Sequence, residues 1–165
     1  MKLILWLAYL PLDILSSLAS YLLAPFIVLL SESTARRYFR WFLTPDNPIT
    51  GDASHERRWA GKPVYLKKIA WLWRNKAYGF SKSVIGADTK LPAKVWGNPE
   101  VTDKGPVEGI AVWWTAEGYW QFYYIKMMPW EKVLRMNLGW KLWGDGTRST
   151  DGMYVFTINP VKSFD

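Results

Sequence analysis

Asp46, Asp52, His55 and Glu56 gather between residues 46 and 56 of a chain that contains a single histidine. Carboxylates beside an imidazole are the residue types of general acid–base catalysis and of metal ligation. The intervening residues suggest plainer work. Thr44-Pro45-Asp46-Asn47 fits a type I turn with proline at its second position, and Asn47 is pushed to an extended conformation by Pro48. Beyond Gly51, Asp52 or Ser54 is placed to cap a short helix, "SHERRWA", which Gly61 and Pro63 stop. Pro45, Asp46, Asn47, Pro48, Gly51 and Asp52 are therefore expected to form a structural turn, with no catalytic residue, metal ligand or cofactor.

The rest of the chain offers little further site chemistry. There is no Cys, which removes thiolate nucleophiles, thiolate metal sites and disulfides. No P-loop, Gly-rich dinucleotide turn, HExxH or GxSxG is present. "DGTRSTDG" (145–152) lacks EF-hand ligand spacing and reads as a hairpin loop.

The elements that would position this loop begin with an apolar N-terminus. From Leu3 to Leu30 the only charge is Asp13. A helix from Pro11 to about Leu30 would run roughly 20 residues, about one bilayer thickness, with Pro11 at its first position and Asp13 in its first turn. Pro25 would kink this span. A cleaved signal, with "SLAS" (17–20) as the cleavage site, and a re-entrant hairpin are the rivals. A retained single span is preferred because apolar sequence continues to Leu30. Ser16, Ser20 and Ala24 repeat every fourth residue, a spacing that lets two helices approach closely and makes a second copy a candidate partner.

A basic, aromatic collar follows. In "SESTARRYFRWF", Ser31 or Ser33 can cap a helix that interleaves Arg36, Arg37 and Arg40 with aromatic rings including Trp41. "KPVYLKKIAWLWRNKAYGF" (62–80) repeats the texture with Lys67, Lys68, Trp71, Trp73 and Arg74. These nine residues are the candidate membrane-interface set, facing anionic headgroups. The charge supports this. Residues 1–95 hold 14 Lys/Arg and 6 Asp/Glu, whereas residues 96–165 hold 7 and 8. With few cations before the span, the positive-inside rule puts residues 31–165 in the cytoplasm.

The C-terminal half is strand-like. "VEGIAVWWTA" (107–116) and "YWQFYYIKMM" (119–128) flank Glu117-Gly118 as a hairpin, and "KVLRMNLGWKLWG" (132–144) and "MYVFTI" (153–158) follow. The fold class expected is α+β: an N-terminal transmembrane helix, one or two short amphipathic helices, and a small antiparallel meander or half-barrel. The expected divisions are a hydrophobic segment 1–30, a juxtamembrane helix 31–43 and a Trp-rich domain 44–165.

"RWFLTPDNPITGD" (40–52), "WLWRNKAYGFS" (71–81) and "NLGWKLWG" (137–144) together resemble an uncharacterised family of small membrane proteins of tailed phages and prophages. The resemblance covers most of residues 38–144 and brings no catalytic residues with it. It implies a viral product acting at the inner membrane of a bacterial host. The reading preferred from sequence is a non-enzymatic, single-span protein that binds a host or phage protein. A nucleic-acid-binding protein using the 36–76 surface is the second reading, and a membrane-bound hydrolase using the 46–56 loop is the third.

Overall fold

A computed structural model describes residues 1–88, 93–101, 107–130, 132–143 and 150–162. The chain divides into two compact units, Met1–Ala8 with Gly86–Asp165, and Tyr9–Ile85. The first eight residues pack with the C-terminal half.

The unit holding the C-terminal half is built on five antiparallel strands: β1 (Lys94–Gly97), β2 (Gly109–Trp114), β3 (Trp120–Met128), β4 (Lys132–Trp140) and β5 (Tyr154–Lys162). They pair in chain order as an open meander. Four were legible as aromatic, β-branched runs, and the turn at Glu117-Gly118 lies where expected, with Gly118 at φ +87°. The short, fully exposed β1 was not anticipated. Period-2 alternation puts Ala111, Trp113, Tyr123 and Ile125 on a buried face. Gly139 lies where a Cβ would collide with the Trp120 carbonyl at 2.2 Å, so close backbone approach requires glycine there. Residues 145–149, expected as a hairpin loop, lie outside the described residues.

Trp6 completes this unit. Its ring lies 5.4 Å from Trp120 and 6.0 Å from Tyr154; its Nε1 donates to the Val155 carbonyl, and the Tyr154 hydroxyl donates back to the Trp6 carbonyl. The Lys2 backbone N–H donates to the Gly118 carbonyl at 2.7 Å.

These contacts move the start of the first helix. α1 runs Leu3–Ile27, with Pro11 and Pro25 inside it. The expectation that Pro11 opens the helix is corrected, and with it the placing of Asp13 in a first turn. Tertiary contacts at Lys2 and Trp6 secure the earlier turns, which outweighs the one backbone hydrogen bond that Pro11 cannot make.

The second unit holds the remainder of α1 and the short helices α2 (Glu32–Phe39), α3 (Ala53–Arg58), α4 (Val64–Arg74) and α5 (Tyr78–Ser83), with a 3₁₀ turn at Arg40–Phe42. Ser31 caps α2 by accepting from the Thr34 N–H, and Asp52 caps α3 by accepting from the His55 N–H. The core gathers Ala24, Ile27, Val28, Ala35, Leu43, Ile49, Ile69 and Leu72. α5 packs on the 3₁₀ turn through Gly79, where a Cβ would meet the Arg40 carbonyl at 2.2 Å.

Candidate functional site

The loop of acids comes first. The Asp52 carboxylate accepts from the His55 N–H at 2.7 Å and from the Ser54 hydroxyl at 2.8 Å. Desolvation pushes its pKa upward, but those hydrogen bonds, with the charges of Arg74 and His55, outweigh it and hold the carboxyl below its ordinary value. His55 is buried, its ring 5.8 Å from Trp59 and 5.1 Å from Trp71, with Nε2 at 3.0 Å from the Lys67 carbonyl. Glu56 pairs with the Lys67 ammonium, whose hydrogen bond lowers the carboxyl pKa. Three of the four candidate groups thus serve as a cap, a core ring and an ion pair. Asp46 is exposed. Among the described residues no three His, Asp or Glu side chains converge as a metal site.

Arg36 organises the same loop from outside. It forks onto Glu32 one turn back, at 2.9 and 2.7 Å, and donates to the carbonyls of Thr44 and Asn47. The hydrogen-bonded turn itself lies further on than expected, with the Gly51 N–H donating to the Pro48 carbonyl and Gly51 at φ +105°.

The interface set divides in two. Arg37, Arg40, Trp41, Trp73 and Arg74 are exposed. Arg36 and Lys67 are engaged as described. Trp71 is only 4% exposed and donates from Nε1 to the Thr44 hydroxyl, so it is a core ring. Lys68 is half-buried. The small-residue stripe packs within its own chain. Ser20 and Ala24 are fully buried, and Ser16 donates to the Asp13 carbonyl.

α1 carries the most telling pattern. Between Tyr9 and Ile27 the buried side chains are Asp13, Ser17, Ser20, Ala24 and Ile27, which recur along one helical face. The exposed ones include Leu12, Ile14, Leu15, Leu18, Leu22 and Phe26. This inverts the arrangement of a water-soluble helix. Polar groups face protein, where the Asp13 carboxylate accepts from Ser81 Oγ at 3.1 Å, while the aliphatic face is uncovered. At about 1.5–3 kcal/mol per large apolar side chain, leaving six uncovered in water would forgo roughly ten kcal/mol of burial.

Beside that face runs an aromatic seam that hydropathy alone did not reveal. Trp73 Nε1 donates to the Tyr21 carbonyl at 3.2 Å and the two rings lie 6.1 Å apart. The Tyr65 hydroxyl donates to the Pro25 carbonyl, and the Lys76 ammonium lies 5.9 Å from the Tyr21 ring. A second exposed apolar group is Met127 and Met128 at the end of β3, with Trp130 just beyond.

Fold and surface together define an α+β protein with, among the described residues, one N-terminal helix apolar enough to cross a membrane. The chain belongs to DUF7338, a family of unknown function, whose model matches residues 1–165. No curated protein and no solved structure matches it.

Proposed function

We propose that this chain is a non-enzymatic membrane protein of tailed phages or their prophages. α1 anchors it at the cytoplasmic face of the bacterial host's inner membrane, where it engages a host or phage protein. The observation that carries the membrane reading is the inverted α1, with Asp13, Ser17 and Ser20 turned into protein and Leu15, Leu18, Leu22 and Phe26 turned out. The charge supports an anionic surface: residues 9–85 hold 11 Lys/Arg against 5 Asp/Glu. A non-catalytic role is supported by the engagement of Asp52, His55 and Glu56 in capping, packing and pairing. The phage setting rests on the resemblance of residues 40–52, 71–81 and 137–144. The exposed Met127, Met128 and Trp130, the last 89% exposed, supply a surface for a protein partner.

Fractionation of cells producing the full chain tests the reading. The protein is expected in the membrane pellet and resistant to carbonate washing. Recovery in the soluble fraction, with steep salt-dependent DNA binding, would replace it with the nucleic-acid reading.

A further inference from the structure

α1 is long enough to cross a bilayer, yet two independent features argue against crossing. The first is connectivity. Residues 1–8 belong to the same compact unit as residues 86–165, joined through Trp6, Tyr154 and the Lys2–Gly118 hydrogen bond. Were α1 to cross, residues 28–85 would emerge on one side while the β-sheet unit stayed with the N-terminus on the other. The chain would then have to recross where Ile85 joins Gly86. Crossing needs about 20 apolar residues, and "YGFSKSVIGADTKLPAK" (78–94) carries Lys82, Asp88, Lys90 and Lys94. Among the described residues α1 is the one helix long and apolar enough.

The second feature is what lies along α1. From Asp13 to Pro25 it is flanked by Ser81, which reaches its buried face at Asp13, and by Trp73 and Tyr65, which donate to its Tyr21 and Pro25 carbonyls. A crossing α1 would draw these elements, with Arg74 and Lys76 among them, into hydrocarbon, where charges are costly.

We infer that α1 lies in the plane of a single anionic leaflet, its Leu15–Leu18–Leu22–Phe26 face sunk among acyl chains. Tyr21, Tyr65 and Trp73 form a seam at headgroup depth, and Lys76 meets lipid phosphate. This deepens the membrane reading above and rests on it. The occupant is lipid because the exposed face is aliphatic, its border is aromatic with a hydrogen-bonding edge, and the surrounding unit is cationic.

The absence of cysteine makes the test direct. Exposed Ala60 and Ala116, one in each unit, are replaced singly as Ala60→Cys and Ala116→Cys in the full chain. Right-side-out and everted vesicles are then treated with a membrane-impermeant maleimide. Both positions are expected to label from the same side; labelling from opposite sides overturns the in-plane arrangement while leaving membrane association intact. Loss of the protein from the vesicles altogether overturns the membrane reading itself. In a second arm, protein purified in mild detergent is floated with phosphatidylcholine vesicles, with or without phosphatidylglycerol. Binding is expected to favour the anionic vesicles and to fall by about fivefold in Lys76→Gln. Equal binding to both compositions overturns the assignment of Lys76 to lipid phosphate.

Discussion

The carboxylate of Asp13, in the middle of the most apolar segment of the chain, accepts a hydrogen bond from Ser81 Oγ at 3.1 Å across 68 residues of sequence. An acid in such a segment marks either a helix start or a buried contact, and here it is the contact. Ser81→Ala would leave the buried carboxylate without this donor, at a cost of about 1–3 kcal/mol. The midpoint of thermal unfolding in mild detergent is therefore expected to fall, with Ser81→Thr recovering part of the loss. An unchanged midpoint in Ser81→Ala would show that the contact contributes nothing.

Arg36 and Arg37 are neighbours with opposite expectations. Arg36 joins Glu32 to the carbonyls of Thr44 and Asn47, a fork that lysine cannot reproduce. Arg36→Lys should lower stability by about 1–2 kcal/mol and speed proteolysis within residues 44–52. Arg37→Lys, on the exposed side of α2, should stay within about 0.5 kcal/mol. Limited proteolysis of the two variants side by side reads the difference.

Asp52 predicts a pH dependence. Its folded pKa is depressed below the ordinary value of 3.8, so the cap is fully effective above that pH. Its contribution is lost as pH falls through the lowered folded value. Asp52→Ala should cost about 1 kcal/mol at neutral pH. In an acid titration of unfolding, the gap between wild type and Asp52→Ala should narrow below pH 3.8. A gap that stayed constant to lower pH would assign the effect to something other than the charged cap.

Gly79 sits where α5 meets the 3₁₀ turn, with no room for a Cβ beside the Arg40 carbonyl. Gly79→Ala must push the two backbones apart and should cost about 1–3 kcal/mol, although alanine is the better helix former. Gly61→Ala is the contrast. No atom lies within 4 Å of its would-be Cβ, and the residue is strained only by its φ of +74°. Comparing their unfolding midpoints separates steric conflict from backbone strain.

Much of the β-sheet unit was legible because its signals are local. The Glu117-Gly118 turn, the alternation along β2 and β3, and the aromatic runs each specify strand and register without reference to distant residues. The Asp52 cap of α3 was legible for the same reason. β1 escaped notice because four exposed residues carry no buried alternation. The candidate site was legible only in composition. Arg37, Arg40 and Trp73 stand at the surface. Trp71 and Arg36, indistinguishable from them in sequence, were claimed by Thr44, His55 and the 44–47 carbonyls.

The amino-acid sequence by itself determined that residues 3–30 would be apolar and helical from Pro11 onward, that the basic excess would lie beside them, and that the C-terminal half would fold as a meander. These follow from propensity, hydropathy and turn chemistry, which act over a few residues. Only the tertiary structure decided which way α1 faces. Hydropathy sums side chains along the chain and cannot say which azimuth a partner will cover. Ser81, far along in sequence, meets the polar side at Asp13, while residues beyond 86 hold Trp6. The apolar face is left uncovered, and the acid that looked like a helix start becomes the helix's point of attachment.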